Sequence, residues 1–131
     1  MTDPAHPPPT PGTIGWLDLA APNAESLREF YSAVVGWTTE PVEMEGYEDH
    51  VCLAADGTPV AGVCHSKGPN ADLPTAWLAY VHVIDLEASM AEATQRGGEV
   101  LGGIRDMGSH GRVAVIRDPA GAVLSLFQAK S

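Results

Sequence analysis

The apolar positions of this chain change period several times, and the order of the changes is informative. Ile14, Gly15, Trp16, Leu17, Asp18 and Leu19 alternate loosely, which suits a half-buried strand. Pro22 and Asn23 break that run, and the Asn23 side chain is expected to cap a helix by accepting an orphan N–H. Leu27, Phe30, Tyr31 and Val34 then recur at i, i+3, i+4 and i+7, one apolar helical face. Gly36 can take the left-handed conformation that ends a helix, and Trp37 supplies an apolar residue just past it. Thr38–Glu43 and Asp49–Ala54 read as strands. Asp56-Gly57 reads as a hairpin turn into a returning strand, Val60–His65.

The same sequence of periods then begins again. After the polar connector 66–75, Trp77–Val83 is a strand and Asp85 a helix cap. Leu86, Met90 and Ala93 form a narrow apolar stripe that Gly97-Gly98 ends. Glu99–Leu101 and Arg112–Arg117 follow as strands, and the turn Asp118-Pro119-Ala120-Gly121 leads into Ala122–Gln128. A shift of 62 residues carries Trp16 onto Leu78, Asn23 onto Asp85 and Gly36 onto Gly98. Matching residues are few, so the argument rests on the order of caps, stops and hairpins. The period is too long for a solenoid and fits a duplicated β-α-β-β-β module. Two helices for about eight strands also argue against a doubly wound sheet. The expected organisation is a disordered proline-rich tail (1–12, including His6), a first module (13–65), a linker (66–75) and a second module (76–128), making one α+β domain.

Composition narrows the function classes. The 131 residues carry 17 acidic side chains against 7 Lys and Arg, a net charge of −10. Such a charge repels phosphate backbones and anionic lipid, so neither nucleic acid nor a membrane is an expected partner. No apolar run approaches the ~18 residues of a membrane span, and the N-terminus lacks the basic start and apolar core of a secretory signal. Two cysteines make no disulfide framework. A hairpin at Asp56-Gly57 sets Cys52 opposite Ala61 and Cys64 opposite Asp49, so both read as reduced thiols of a cytoplasmic protein.

Phe30-Tyr31 followed by Gly36-Trp37, the run Pro59–Val63, the pair Asp85 and Gly97-Gly98, and Asp118-Pro119-x-Gly121 together resemble the vicinal oxygen chelate superfamily. That superfamily includes glyoxalase I, the extradiol dioxygenases and the bleomycin-resistance proteins, and the likeness covers Thr13 to Gln128. It implies two βαβββ modules, each a curled mixed sheet, packed around a ligand cavity, usually in a homodimer. Metal-binding members hold a divalent ion with His, Gln or Glu on the first and last strands of each module. Here the aligned positions are Trp16, Leu78 and Ser125, with the fourth near Ala61 or Gly62. Indole, isobutyl and hydroxymethyl groups do not make a zinc or hard-cation site. The resemblance therefore implies no inherited metal and no cofactor. His50, His65, His82 and His110 show no chelating spacing, and adjacent Cys64 and His65 point to opposite strand faces. No nucleophile–base set surrounds Ser125, so no catalytic residue is assigned.

With Trp16 at a ligand position, strand alternation puts Asp18 beside it, groups Leu78 with Tyr80 and His82, and groups Ser125 with Phe127. His50 and His65 reach the rim. Such a lining suits a flat aromatic molecule held by stacking and a few hydrogen bonds. The same residues also have a structural role open to them: Trp16 can plug the cavity as core, and Asp18 and His82 can satisfy each other. The leading expectation is a metal-independent binding protein that sequesters a bulky aromatic antibiotic of bleomycin, mitomycin or enediyne type, as drug-binding members of the superfamily do. The alternative is a lyase, isomerase or oxygenase of that superfamily with a non-standard site, in which His82, Asp18 or His65 serves as acid or base.

Overall fold

The computed structural model describes residues 9–130, so the greater part of the proline-rich tail lies outside the described residues. Two compact units make up the chain. One is Trp16–Trp77, and the other combines the described residues up to Gly15 with those from Leu78 on. The element order along the chain is β1 (Ile14–Ala21), α1 (Ala24–Val35), β2 (Thr38–Glu43), β3 (Glu48–Leu53) and β4 (Pro59–His65) for one series, nearly all of it in the first unit. The other series is β5 (Trp77–His82), α2 (Leu86–Gln95), β6 (Glu99–Asp106), β7 (Gly111–Arg117) and β8 (Val123–Ala129), in the second unit apart from Trp77. Each is a βαβββ module whose strands lie in the spatial order β2-β3-β4-β1 or β5-β8-β7-β6. The first strand of each module runs parallel to its last, and the other pairs are antiparallel. A parallel pair needs a long crossover, and the helix with its two following strands supplies it. The class is α+β with mixed sheets.

The helices sit where the apolar pattern puts them, with two corrections. In α1 only part of the expected face packs: Leu27 joins Ala24, Cys52, Ala61 and Val63 in the core, whereas Phe30 is 54% and Val34 65% exposed. Tyr31 packs as expected, and Ala24 joins the face. The Tyr31 hydroxyl accepts a hydrogen bond from Trp77 Nε1 at 3.1 Å, and its ring packs edge-on against Trp77. Trp37 and Trp77 thus both serve the core of the first unit. In the second unit Leu86, Ala114 and Leu126 form the core, with Met90 packed against it.

The caps differ as well. Asn23 precedes α1, but its side chain makes no capping bond; only its carbonyl engages, accepting from Leu27 N. Asp85 does cap α2, accepting from Ala88 N at 3.0 Å. Asp85→Ala is therefore expected to cost about 1 kcal/mol, and Asn23→Ala only a few tenths. Urea unfolding of the two variants beside the parent checks this, and equal losses would contradict it. Gly36 ends α1 with φ +89°, but the left-handed residue after α2 is Gly97, one position earlier than the 62-residue shift gives, because α2 is two residues shorter than α1.

The Asp56-Gly57 turn is wider than a two-residue hairpin. Gly57 N donates to Ala54 O and Ala54 N to Thr58 O, with Gly57 at φ +86°, a turn followed by a left-handed residue. The register shifts between Cys52 and Leu53 to absorb it, so Cys52 still faces Ala61. Both cysteines are free thiols. Strand β6 runs on to Asp106, well past Leu101, through a second register shift at Gly102-Gly103.

Candidate functional site

Strand register decides which side chains meet in the first unit. His50 lies opposite Val63 across the β3–β4 pair, so it shares a face with Val63 and with His65, two residues further on. Cys52 and Ala61 belong to the same face, and the core cluster under α1 is built on it. On the other side of β4, His65 lies beside Ala21, the last residue of β1. The chain turns there into α1, so Glu25 in the first helical turn comes down beside both imidazoles.

Glu25 Oε1 is 2.9 Å from His50 Nε2 and 3.5 Å from His65 Nε2. One ligand-capable atom from each of the three residues lies within 4.8 Å of the other two. His50 and His65 are buried, while the Glu25 side chain is 56% exposed. The site is thus anchored in the core and open at the carboxylate. Arg28 Nε lies 3.5 Å from the other oxygen, Oε2. The hydrogen bond from His50 leads in holding the Glu25 carboxyl below its ordinary value, so Glu25 is an anion at neutral pH. Asp49, buried on β3, accepts the backbone N–H of His65 at 2.8 Å and fixes the end of β4. The Tyr47 ring stands edge-on to His65 with centroids 5.4 Å apart, and Lys67 Nζ lies 5.3 Å from the centre of that ring. A carboxylate with two imidazoles can move protons, stabilise a developing oxyanion or ligate a metal ion.

The expected lining residues fall on other surfaces. Trp16 and Asp18 share a face in the first unit, joined by a 2.7 Å bond from Trp16 Nε1 to Asp18 Oδ1. Asp18 lies beside Gly62, so this is the sheet face opposite to Val63 and His65. Gly62 leaves room for that carboxylate, since a Cβ there would displace Asp18 Oδ1. The nearby Cys64 thiol is pushed up by burial and then by the charges of Asp18 and Asp49, which makes it a poor nucleophile. In the second unit Tyr80 pairs with Ser125 and His82 with Phe127, so these four share a face as alternation requires. Leu78 is buried on the same strand. Ser125 Oγ and His82 Nδ1 are buried without a hydrogen-bond partner among the described residues. His50 and His65 therefore do not extend the Trp16–Asp18 face as rim groups; they belong to the opposite one.

Burial holds the His82 imidazole below its ordinary value of 6.5. The folded protein then binds that proton less readily than the unfolded chain. Its contribution to stability is complete above pH 6.5 and is lost as pH falls through the lower folded value. The difference in unfolding free energy between the parent and His82→Gln, followed from pH 8 to pH 5, is expected to shrink on acidification. A flat difference would contradict it.

Sequence reasoning named His50 and His65 without joining them, and missed Glu25. A signal was present for the pair: the hairpin register that opposes Cys52 to Ala61 also puts His50 and His65 on one face. Glu25 carries no such mark, since acidic residues are common in first helical turns for dipole reasons alone.

Comparison with known proteins now defines the class. Residues 16–127 match the glyoxalase-like domain, and the chain belongs to that family, within the vicinal oxygen chelate superfamily. Among its relatives, the anthracycline biosynthesis protein DnrV of Streptomyces peucetius is 31% identical, over 90% of this chain and 47% of that protein. CFP32 of Mycobacterium bovis, named as a glyoxylase, is 33% identical, over 89% of this chain and 44% of that protein. The chain thus spans about half the length of the curated relatives it matches. Among solved structures, a hypothetical protein of Bacillus halodurans C-125 superposes with a TM-score of 0.63 at 10% identity, covering 93% of this chain and 97% of that one. Methylmalonyl-CoA epimerase of Mycobacterium tuberculosis gives a TM-score of 0.56 at 16% identity, covering 92% of this chain and 89% of that one. These structural likenesses establish the fold alone. Among the described residues, no helix is long and apolar enough to cross a membrane.

Proposed function

We propose that this chain is a glyoxalase-like lyase or isomerase whose reacting groups are Glu25, His50 and His65. One observation carries the reading: an ionised carboxylate and two buried imidazole nitrogens converge within 4.8 Å in a chain whose family metal positions hold Trp16, Leu78 and Ser125. The name of the CFP32 relative supports it. In this reading Glu25 removes a proton from the carbon beside a substrate carbonyl, and an imidazole N–H donates to the oxygen as charge develops there. Return of the proton to the neighbouring carbon completes an isomerisation. The test is NMR-followed incubation with the hemithioacetal of methylglyoxal and with an anthracycline-type ketone. Covalent conversion that Glu25→Gln abolishes supports the reading; conversion unchanged in that variant overturns it.

A second reading has its own support in the names of the Streptomyces relatives, which concern polycyclic aromatic molecules. In it the chain captures a bulky aromatic compound without chemistry, as antibiotic-resistance members do, with Trp16 and Asp18 contributing one face and Tyr80, His82, Ser125 and Phe127 another. The ligand cavity and the homodimer implied by the resemblance belong to this reading. Saturable tryptophan quenching with the compound recovered intact would favour it over catalysis.

A further inference from the structure

Metal-binding members of the superfamily use strand positions that in this chain carry no ligand. The geometry of the first unit points instead to a different place: we propose that Glu25, His50 and His65 bind one divalent ion of the zinc class through Oε1 and the two Nε2 atoms. The site lies on the α1 side of the sheet, opposite the face that carries Trp16 and Asp18. It rests on the reading of these three residues as the working site, but it describes an ion-bound state in which Oε1 and the two Nε2 atoms are ligands and not proton-transfer groups, and ion uptake can stand or fall without turnover.

Distances favour such an ion. Zinc sits about 2.0–2.2 Å from nitrogen and oxygen ligands, so the corners of a tetrahedral shell are roughly 3.3–3.5 Å apart. The two measured edges, 2.9 Å and 3.5 Å, bracket that range, and the remaining edge is at most 4.8 Å. Small rotamer adjustments close the shell. The donor set also selects the ion. Two imidazoles and one carboxylate suit zinc-class metals, whereas calcium and magnesium prefer all-oxygen shells.

Burial supplies the next argument. Both imidazoles are fixed on paired strands in the core, at 4% and 9% exposure, so two ligands are ordered before an ion arrives. The third, Glu25, is at the surface and gives the ion a path in and an open fourth position. Three protein ligands plus an open position is the arrangement of catalytic rather than structural zinc. Arg28 is the one cation at the carboxylate in the described ion pairs, and it lies on Oε2, leaving Oε1 turned toward the histidines. A bound ion would lower the pKa of its water or polarise a substrate carbonyl.

The experiment uses the full chain stripped with chelator, dialysed against zinc chloride, with bound metal measured by plasma mass spectrometry and affinity by calorimetry. One equivalent of zinc per chain is expected, with no measurable uptake of magnesium or calcium. Glu25→Gln, at an exposed position, should weaken binding about 10- to 100-fold, and His50→Gln should do the same. His110→Gln, at an exposed histidine of the second unit, should bind as the parent does. Sub-stoichiometric zinc, full affinity in Glu25→Gln, or loss in His110→Gln would overturn the site. Circular dichroism of each variant separates loss of ligand from loss of fold. Because Glu25→Gln alters a surface side chain, it keeps the test decisive if the buried histidine variant unfolds.

Discussion

Glu25→Gln is expected to lower turnover by about 10²- to 10⁴-fold, the range spanned by removal of a positioned acid or base. The substitution keeps the shape and the hydrogen-bonding reach of the side chain but removes its charge. Glu25 is ionised because the His50 hydrogen bond favours the anion, and glutamine cannot accept a proton from carbon. The fold should be indifferent, since the side chain is more than half exposed and its ion pair with Arg28 is a surface one, worth at most about 1 kcal/mol. Trp16→Phe, on the opposite face of the sheet, separates the two functional readings. Catalysis at the Glu25 cluster predicts a large loss in the first variant and a small change in the second, measured as kcat/KM on one converted substrate. The reverse ranking would move the reacting centre to the Trp16–Asp18 face.

The largest stability effect is expected at Gly111, where β7 begins. Its φ is +131° with ψ −149°, a region closed to side-chain-bearing residues. It also pairs with Ala129, and an added Cβ would collide with the Gln128 carbonyl oxygen while lying 3.0 Å from Ala129 Cα. Those are backbone atoms of an antiparallel partner and cannot swing aside. Gly111→Ala should therefore cost about 3 kcal/mol or more, the sum of backbone strain and a displaced strand pair. Gly57→Ala provides the contrast. Its φ of +86° carries the strain alone, with nothing within 4 Å of the new methyl, and about 1 kcal/mol is expected. Denaturant unfolding of both variants tests the ranking, and equal losses would show that the close strand approach is not the cause.

Much of the architecture was legible in the pattern of periods. The alternating runs, Asp85, Gly36, the turn positions at Asp56-Gly57 and Asp118–Gly121 and the repeat of the whole series place eight strands and two helices within a few residues of where they fold. Local rules failed where tertiary context decides. The stripe Leu27, Phe30, Tyr31, Val34 is a valid helical face, but α1 presents Ala24, Leu27 and Tyr31 to its sheet because small Ala24 lets the helix approach Cys52, Ala61 and Val63. Asn23 looks like a cap, yet its φ of −110° and ψ of 44° keep its side chain from the orphan N–H groups. The strand read as Glu99–Leu101 runs on to Asp106 across a register shift between Leu101 and Arg105, an irregularity that alternation alone does not extend through.

The site was half visible. Two of its three residues could be placed on one face by hairpin register alone, a calculation that depends only on the alternation of strands. The third comes from another element. Its position depends on the parallel pairing of β1 with β4, which sets Ala21 beside His65 and brings the start of α1 over the sheet. No spacing along the chain encodes that proximity. The family positions point the other way, toward Trp16, Leu78 and Ser125, and so direct attention to the face without the cluster.

Long-range imidazole ¹H–¹⁵N spectra during a zinc titration test most directly whether Glu25, His50 and His65 act as one site. The account predicts that the Nε2 signals of His50 and His65 move together to metal-bound positions and saturate at one equivalent, while His82 and His110 stay in place. Independent titration of the two histidines, or movement of His82 in their stead, would contradict it.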